Sequence, residues 1–270
     1  MFDLHIHSCH SHDSKQTLDE ICRKALQIGL DGIAVCDHVD LWFAEELHTE
    51  QAIRACMTDV KEAQKKYGSR LTVLQGVEMA EYLDGPETAE RILSLGEFDV
   101  ILGSVHSVRF ETITDSYSRI DFSSMSEDRI DGFLKEYFKK ISEMTEKTDF
   151  DVLSHLTCPL RYINGKYKRD VDILRYQKEI FGIFEQIIQK EISLEINTSG
   201  LGEAFGKPMP DIPLIRAYIK MGGKRITLAS DAHIPQNIGK RFKEAKSFLQ
   251  DMGVDGYYIF RQRKAEFQPF

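Results

Sequence analysis

A parallel α/β barrel is the fold this 270-residue sequence predicts, and three patterns predict it. Short, almost wholly apolar runs alternate seven times with longer segments of helical spacing. No Gly-x-Gly-x-x-Gly follows the first run, as a dinucleotide-type open sheet would require. Nearly every run ends in His, Asp, Glu or Asn. Strands buried on both faces read as continuous apolar runs and pair in parallel, because a right-handed helical crossover returns the chain to the same edge. An open doubly wound sheet gathers its polar groups at one switch point, whereas a barrel presents them at the carboxyl end of every strand. Seven units in place of eight give a distorted (β/α)7 TIM-like barrel, expected to form a single domain over residues 1–270.

The elements follow in order. The first strand, residues 2–7, places His5 and His7 two apart and therefore on one face, with Leu4 and Ile6 on the other. The helix over 17–29 opens on Thr17 with Glu20 three residues on, a capping box, and stops at Gly29. The second strand, 32–37, runs up to His38. A helix over 46–67 leads to the third strand, 71–79, which contains Glu78, and a helix over 87–95 to the fourth, 100–105, followed by His106. Ser126, trailed by Glu127 and Asp128, starts a helix over 126–148. The fifth strand, 151–155, ends in His155, and a helix over 171–190 precedes the sixth, 192–197, which ends in Asn197. A helix over 212–221 precedes the seventh, 226–230, followed by Asp231 and His233. The last helix spans 240–252. Residues 256–260, Gly-Tyr-Tyr-Ile-Phe, suggest an additional strand that closes or flanks the ring.

A net charge of −8 argues against broad binding to a phosphate backbone, so nucleic acid is not expected as a partner, although a local basic pocket for a small phosphorylated ligand is compatible with it. No apolar stretch approaches the roughly 20 residues that span a bilayer, so no membrane association is expected. Five cysteines without close pairing, in a chain that opens on Asp3 and His5 with no basic-then-apolar leader, suggest reduced thiols and a cytoplasmic protein, either monomer or homodimer.

The nine histidines sort into two groups. His5, His7, His38, His106, His155 and His233 close apolar runs, whereas His10, His12 and His48 lie in polar surroundings. Six imidazoles gathered at strand ends with Glu78 and Asp231 would leave many buried polar groups unsatisfied unless a cation joined them. Mixed imidazole and carboxylate ligation suits zinc, manganese or iron, and this many ligands suffices for two or three divalent ions.

The motifs Asp3-Leu4-His5-Ile6-His7-Ser8, Asp37-His38, Gly76-Val77-Glu78, Gly103-Ser104-Val105-His106, Ser154-His155 and Ser230-Asp231-Ala232-His233 resemble, in order and along the whole chain, those of the polymerase and histidinol phosphatase superfamily, the PHP domain. Glu195-Ile196-Asn197-Thr198-Ser199-Gly200, with the chain length, looks most like its histidinol-phosphate phosphatase branch. The resemblance implies a trinuclear centre. One ion would be held by His5, His7, Glu78 and Asp231, a second by a bridging Glu78 with His106 and His155, and a third by Asp13, His38 and His233. At the Asp13 position His12 is the alternative. Asp3 and Asp37 would either orient ligands from behind or be plain strand-end carboxylates.

The implied activity is hydrolysis of a phosphomonoester, histidinol phosphate in histidine biosynthesis, with a metal-bridging hydroxide as nucleophile. Asp231, His233 and Arg161 are the candidate catalytic residues, and Arg161 and Asn197 the candidate contacts to substrate, with a structural turn role as the alternative for Asn197. Arg161 has the planar guanidinium suited to phosphate, and is otherwise a surface residue. Lys166, Lys168 and Arg169 form a basic loop that either attracts phosphate or is simply solvated. No Cys-x5-Arg loop is present, and Ser8, Ser104 and Ser199 have no evident base partner, so a covalent phospho-enzyme is not expected. The competing readings are hydrolysis of other phosphoesters, such as nucleotides or phosphotyrosine, and a non-catalytic metal-binding interaction module.

Overall fold

The computed structural model describes residues 1–42 and 46–270. Its strands β1 (Phe2–Ile6), β2 (Gly32–Val35) with its continuation β3 (His38–Asp40), β4 (Thr72–Ala80), β5 (Val100–Ser104), β6 (Val152–Leu153), β7 (Ser193–Asn197) and β8 (Ile226–Ala229) stand side by side in that order, all parallel. Helices α1 (Leu18–Gln27), α2 (Glu46–Tyr67), α3 (Pro86–Leu93), α4 (Glu127–Lys147), α5 (Gln177–Gln189), α6 (Ile212–Lys220) and α7 (Phe242–Asp251) alternate with them. The buried apolar residues of strands and helices form one continuous core. No helix among the described residues is long and apolar enough to cross a membrane.

The ring closes imperfectly, as seven units lead one to expect. No full ladder joins β8 to β1. A single parallel bridge just past their ends does so, with Asp231 N–H donating to the His5 carbonyl at 2.9 Å and His7 N–H to the Ala232 carbonyl at 3.0 Å. Lower in the gap the buried Asp3 carboxylate substitutes for a ladder, accepting from the Ser230 N–H at 2.9 Å, the Ser230 hydroxyl and the Gly239 N–H at 2.9 Å.

Two elements depart from expectation, and the last apolar run takes one of the two places left open for it. The second strand breaks at Cys36 and Asp37, so that β2 pairs with the lower half of β4 and β3 with its upper half. The break turns the Asp37 carboxylate onto the Ser8 N–H at 2.6 Å and the Ser11 hydroxyl at 2.8 Å. Gly76 of β4 passes so close that a Cβ there would lie 2.3 Å from Cys36 Sγ. The expected helix over 171–190 begins as a 3-10 turn, Ile173–Tyr176, because the Asp172 side chain takes the Leu174 N–H at 3.0 Å before α5 starts. The last apolar run is the first strand of an antiparallel hairpin, β9 (Gly256–Arg261) with β10 (Lys264–Pro269), which flanks the ring.

That hairpin covers the amino-terminal mouth of the barrel. The Tyr257 hydroxyl accepts from Phe2 N–H at 2.8 Å, the N–H groups of Gln262 and Arg263 reach Asp99, and the Arg263 guanidinium straddles both oxygens of Asp151 at 3.2 Å. The expected helix ends hold elsewhere. Thr17 and Glu20 form the reciprocal capping box, Gly29 takes φ +74°, and Ser126 caps α4.

Candidate metal centre

The expected ligand residues meet at the carboxyl end of the ring. β1 brings His5 and His7, β4 brings Glu78, and the first residues after β5, β6 and β8 bring His106, His155 and Asp231. Glu78 lies fully buried at the middle. Its Oε1 is 2.8 Å from His155 Nε2 and 3.2 Å from His106 Nε2. Its Oε2 is 2.9 Å from His38 Nδ1, 3.4 Å from His5 Nε2 and 3.6 Å from His7 Nε2. One carboxylate thus presents each oxygen to a different group of imidazoles, the geometry of a bridging ligand. Asp231 Oδ1 lies 3.3 Å from His7 Nε2 and 3.9 Å from His5 Nε2, and Asp13 Oδ2 lies 3.1 Å from His233 Nε2 and 3.6 Å from His38 Nε2. At the position where two candidates stood open, Asp13 reaches the cluster, and His12 is largely exposed at 3.8 Å from Asp40.

The donor set fits cations. His5 Nε2 and His7 Nε2 face each other at 3.0 Å, while His5 Nδ1 is engaged by Glu195 Oε2 at 2.8 Å and His7 Nδ1 by the Ser11 hydroxyl at 3.1 Å. With both rings neutral and donating at Nδ1, the two facing Nε2 atoms carry lone pairs that repel unless a proton or a metal cation lies between them. His38 Nδ1 and Glu78 Oε2, although 2.9 Å apart, are both buried without a hydrogen bond, because their mutual orientation is wrong for one. Four triads, His5-His7-Asp231, His5-Glu78-His155, His38-Glu78-His106 and His7-His38-His233, have ligand atoms within 4.8 Å of one another.

Charge is shared unevenly. Burial pushes the Glu78 carboxyl up, but the imidazoles of His106, His5 and His38 outweigh it and hold Glu78 well below its ordinary range. Asp231 behaves in the same way, with His7 the main opposing partner to burial. His7 is driven down to about 3 by burial and by the neighbouring His233 and His38, which leaves its nitrogen free to donate a lone pair. Backbone strain coincides with the cluster. His155 has φ +25° and Asp231 φ +52°, each held there by a hydrogen bond at its own N–H, to Glu195 Oε1 at 3.0 Å and to the His5 carbonyl at 2.9 Å.

A supporting layer was only partly visible in the sequence. Glu195 of β7 holds His5 and the His155 N–H. Asp40 of β3 accepts from His106 Nδ1 at 2.8 Å, and Asp37 acts on His7 through Ser11. Buried Glu81, its carboxyl pushed up to about 7 by burial against the opposing influence of His106, accepts from the N–H groups of His106 and Ser107. Glu195, Asp40 and Glu81 escaped the sequence reading. For the first two a signal existed, since each lies two residues from a residue already singled out, Asn197 and His38, and so on the same strand face. Asp3 does not meet a ligand side chain; it fixes the turn that carries Asp231.

Above the cluster opens a cavity of about 350 Å³, lined by Asp13, His38, Asp40, His106, His155, Asp231 and His233, by Tyr117, Cys158, Arg161 and Tyr162, and by Ser199, Glu203 and Lys240 among others. Arg161, on the π-helical turn Arg161–Lys166, reaches this cavity but is engaged at two nitrogens by Glu203, at 2.8 and 2.6 Å. Asn197 does not line it. Asn197 is fully buried, its amide donating to Glu195 at 2.9 Å and its carbonyl accepting from the Ser199 N–H and hydroxyl at 3.0 and 2.6 Å, so it braces the supporting layer where a substrate contact was expected. In the basic loop Arg169 is tied to the carbonyls of Phe122 and Ser123, and Lys168 to that of Ala204; neither lines the cavity.

Comparison with known proteins finds relatives over nearly the whole chain. A "Probable histidinol-phosphatase" of Thermotoga maritima is 27% identical over 95% of this chain and 96% of its own, and a "Histidinol-phosphatase" of Lactococcus lactis is 23% identical over 98% and 96%. The crystal structure of histidinol phosphate phosphatase from Lactococcus lactis, in complex with zinc, L-histidinol and phosphate, shares the fold with a TM-score of 0.79 at 20% identity, over 98% of both chains. The family model described as PHP domain matches residues 3–199, from the first strand through β7 and including the expected ligands His5, His7, Glu78, His106 and His155, and the chain therefore belongs to the PHP domain family.

Proposed function

We propose that this protein is a metal-dependent phosphomonoester hydrolase that converts L-histidinol phosphate and water into L-histidinol and phosphate, a step of histidine biosynthesis. The observation that carries the proposal is the position of Glu78, whose two oxygens face separate imidazole groups at the floor of an open cavity. Full-length relatives that bear the histidinol-phosphatase name support the substrate. His5, His7, Glu78 and Asp231 would hold one ion, Glu78, His106 and His155 a second, and Asp13, His38 and His233 a third. When bound, such ions supply positive charge for phosphate oxygens and make water acidic enough to serve as nucleophile near neutral pH. Zinc, manganese and iron all suit these ligands.

The remaining work falls to the chain itself. Glu195, Asp40 and Ser11 fix the ring orientation of His5, His106 and His7. Arg161 offers the phosphate a guanidinium at the cavity wall. Asp231 and His233, which line the cavity, would pass a proton to the leaving alcohol. All five cysteines are free thiols, which supports a cytoplasmic setting, and a net charge of −8 supports a small-molecule substrate over nucleic acid. The whole chain, acting as one domain, would be the functional unit, as a monomer or homodimer.

The test is phosphate release from histidinol phosphate, a nucleotide and phosphotyrosine by metal-stripped protein to which defined metals are returned. The proposal expects histidinol phosphate to be turned over with at least tenfold higher kcat/KM than the others. Preference for either of the others would assign the centre to a different phosphoester, and tightly bound metal without turnover of any would make it a binding module.

A further inference from the structure

The acidic residues lining the cavity are Asp13, Asp40, Asp231 and Glu203. The first three are each committed to histidines of the cluster. Glu203 alone among them lies outside it, on the far wall, with both carboxylate oxygens on the Arg161 guanidinium at 2.6 and 2.8 Å. A third guanidinium nitrogen reaches the Ser199 hydroxyl at 3.4 Å. A carboxylate seated across a guanidinium uses the same paired donors as two oxygens of a phosphate.

The pair is also easily separated. The Glu203 side chain is 43% exposed and that of Arg161 24%, so water and salt screen their attraction. Glu203 directly follows the short 3-10 turn Ser199–Gly202, in a connection that runs to α6 and includes Gly206 at φ +68°. No other side-chain hydrogen bond or ion pair to the Glu203 carboxylate occurs among the described residues. A phosphate dianion arriving at the metal centre would carry more charge than the carboxylate and would be held from its other side as well, which favours it over Glu203 for Arg161.

We propose that Glu203 is a specificity-determining residue that rests on Arg161 in the free enzyme, is displaced by the substrate's phosphate, and then pairs with a cationic amine carried by the same substrate. The inference rests on the reading of the protein as a phosphatase for an amino-alcohol phosphate. It requires of the substrate an anionic and a cationic end close enough to share one cavity. Phosphomonoesters without the amine would gain nothing from the released carboxylate and would still have to displace it.

Glu203→Gln separates these roles, with Glu203→Asp as the charge-retaining control. Steady-state kinetics on the metal-loaded enzyme would use histidinol phosphate, the amine-free 4-nitrophenyl phosphate, and inorganic phosphate as competitive inhibitor. The expected result for Glu203→Gln is a KM for histidinol phosphate raised about fivefold, together with a KM for 4-nitrophenyl phosphate and a Ki for inorganic phosphate each lowered about threefold, with Glu203→Asp nearer to wild type on all three. Weaker inhibition by inorganic phosphate in Glu203→Gln would mean that Glu203 merely orients Arg161, and would overturn the proposal. So would an unchanged KM for histidinol phosphate. Wild-type enzyme that hydrolyses 4-nitrophenyl phosphate but not histidinol phosphate would refute the substrate reading instead, and the inhibition by inorganic phosphate would still decide whether Glu203 yields Arg161 to phosphate.

Discussion

The two mouths of the barrel both bury carboxylates, yet they treat them in opposite ways. At the amino-terminal mouth Asp99 accepts from the N–H groups of Gln75 and Gln262, and Asp151 from the Ile101 N–H at 2.8 Å and the Arg263 guanidinium. Every oxygen of these two carboxylates has a donor. At the carboxyl-terminal mouth Glu78, Asp231 and six imidazoles converge, and Glu78 Oε2, His38 Nδ1 and His155 Nδ1 are buried without a hydrogen bond. The same chemistry of buried acids therefore fastens one end of the ring and leaves the other poised for cations. Polar satisfaction, more than burial or charge, distinguishes the fastened end from the functional one.

Substitutions at the two ends test that division, and the largest effect is expected at Glu78. Glu78→Gln should lower kcat/KM by roughly 10³-fold or more and reduce the metal bound per chain, because all three expected ions adjoin its neighbours, while the circular dichroism spectrum stays that of wild type. A variant that keeps its metal and its rate would remove the bridging role. Chelation comes next in size. Metal-stripped wild-type protein should lose activity and unfold at a lower temperature, since ligands that bind only the folded state add to its stability. Unchanged melting on metal return would contradict the donor geometry.

Changes at the amino-terminal mouth should move stability alone. Arg263→Met, which takes the cation from the buried Asp151 carboxylate, should cost about 2 kcal/mol in denaturant unfolding and leave kcat/KM within twofold. Tyr257→Phe leaves the Phe2 N–H without its acceptor and should cost about 1 kcal/mol, again with activity intact. A large loss of activity from either variant would mean that the two ends are coupled.

The smallest expected effect is a pH dependence. Burial raises the Asp151 carboxyl above its ordinary 3.8, against the lowering influence of Arg263. The folded state therefore holds this proton more tightly than the unfolded state, so Asp151 favours folding most below pH 3.8 and that contribution declines as pH rises through the raised value. In Asp151→Asn this part of the decline should disappear from unfolding curves recorded across the acid range. A profile unchanged from wild type would show that Arg263 cancels the effect of burial.

Much of the centre could be read in the sequence because strand period and histidine position coincide. His5 and His7 share a face by their spacing of two, and His106, His155 and Asp231 each follow an apolar run, so the barrel rule alone brings them to one mouth. What stayed hidden depends on which strand lies beside which. Glu195 reaches His5 across 190 positions of sequence because the irregular closure of β8 against β1 draws that side of the ring together. Glu203 meets Arg161 because the connection after β7 passes beside the π-helical turn that carries the arginine, 42 positions earlier in the chain. Asn197 ends its strand as expected, but its side chain is used up by Glu195, Ser199 and Asp231, and no spacing rule reports the hydrogen-bond partners available to a buried amide. The break at Cys36 and Asp37 was equally invisible, being set by Ser8 and Ser11 on a neighbouring segment.

The central claim is that the carboxyl-terminal mouth is a multinuclear metal centre organised on Glu78. Anomalous X-ray diffraction from crystals of the zinc-loaded protein tests it most directly. The account predicts two or three anomalous peaks at the cavity floor, with the Glu78 oxygens bridging two of them. A single peak, or peaks that leave Glu78 uncoordinated, would contradict it.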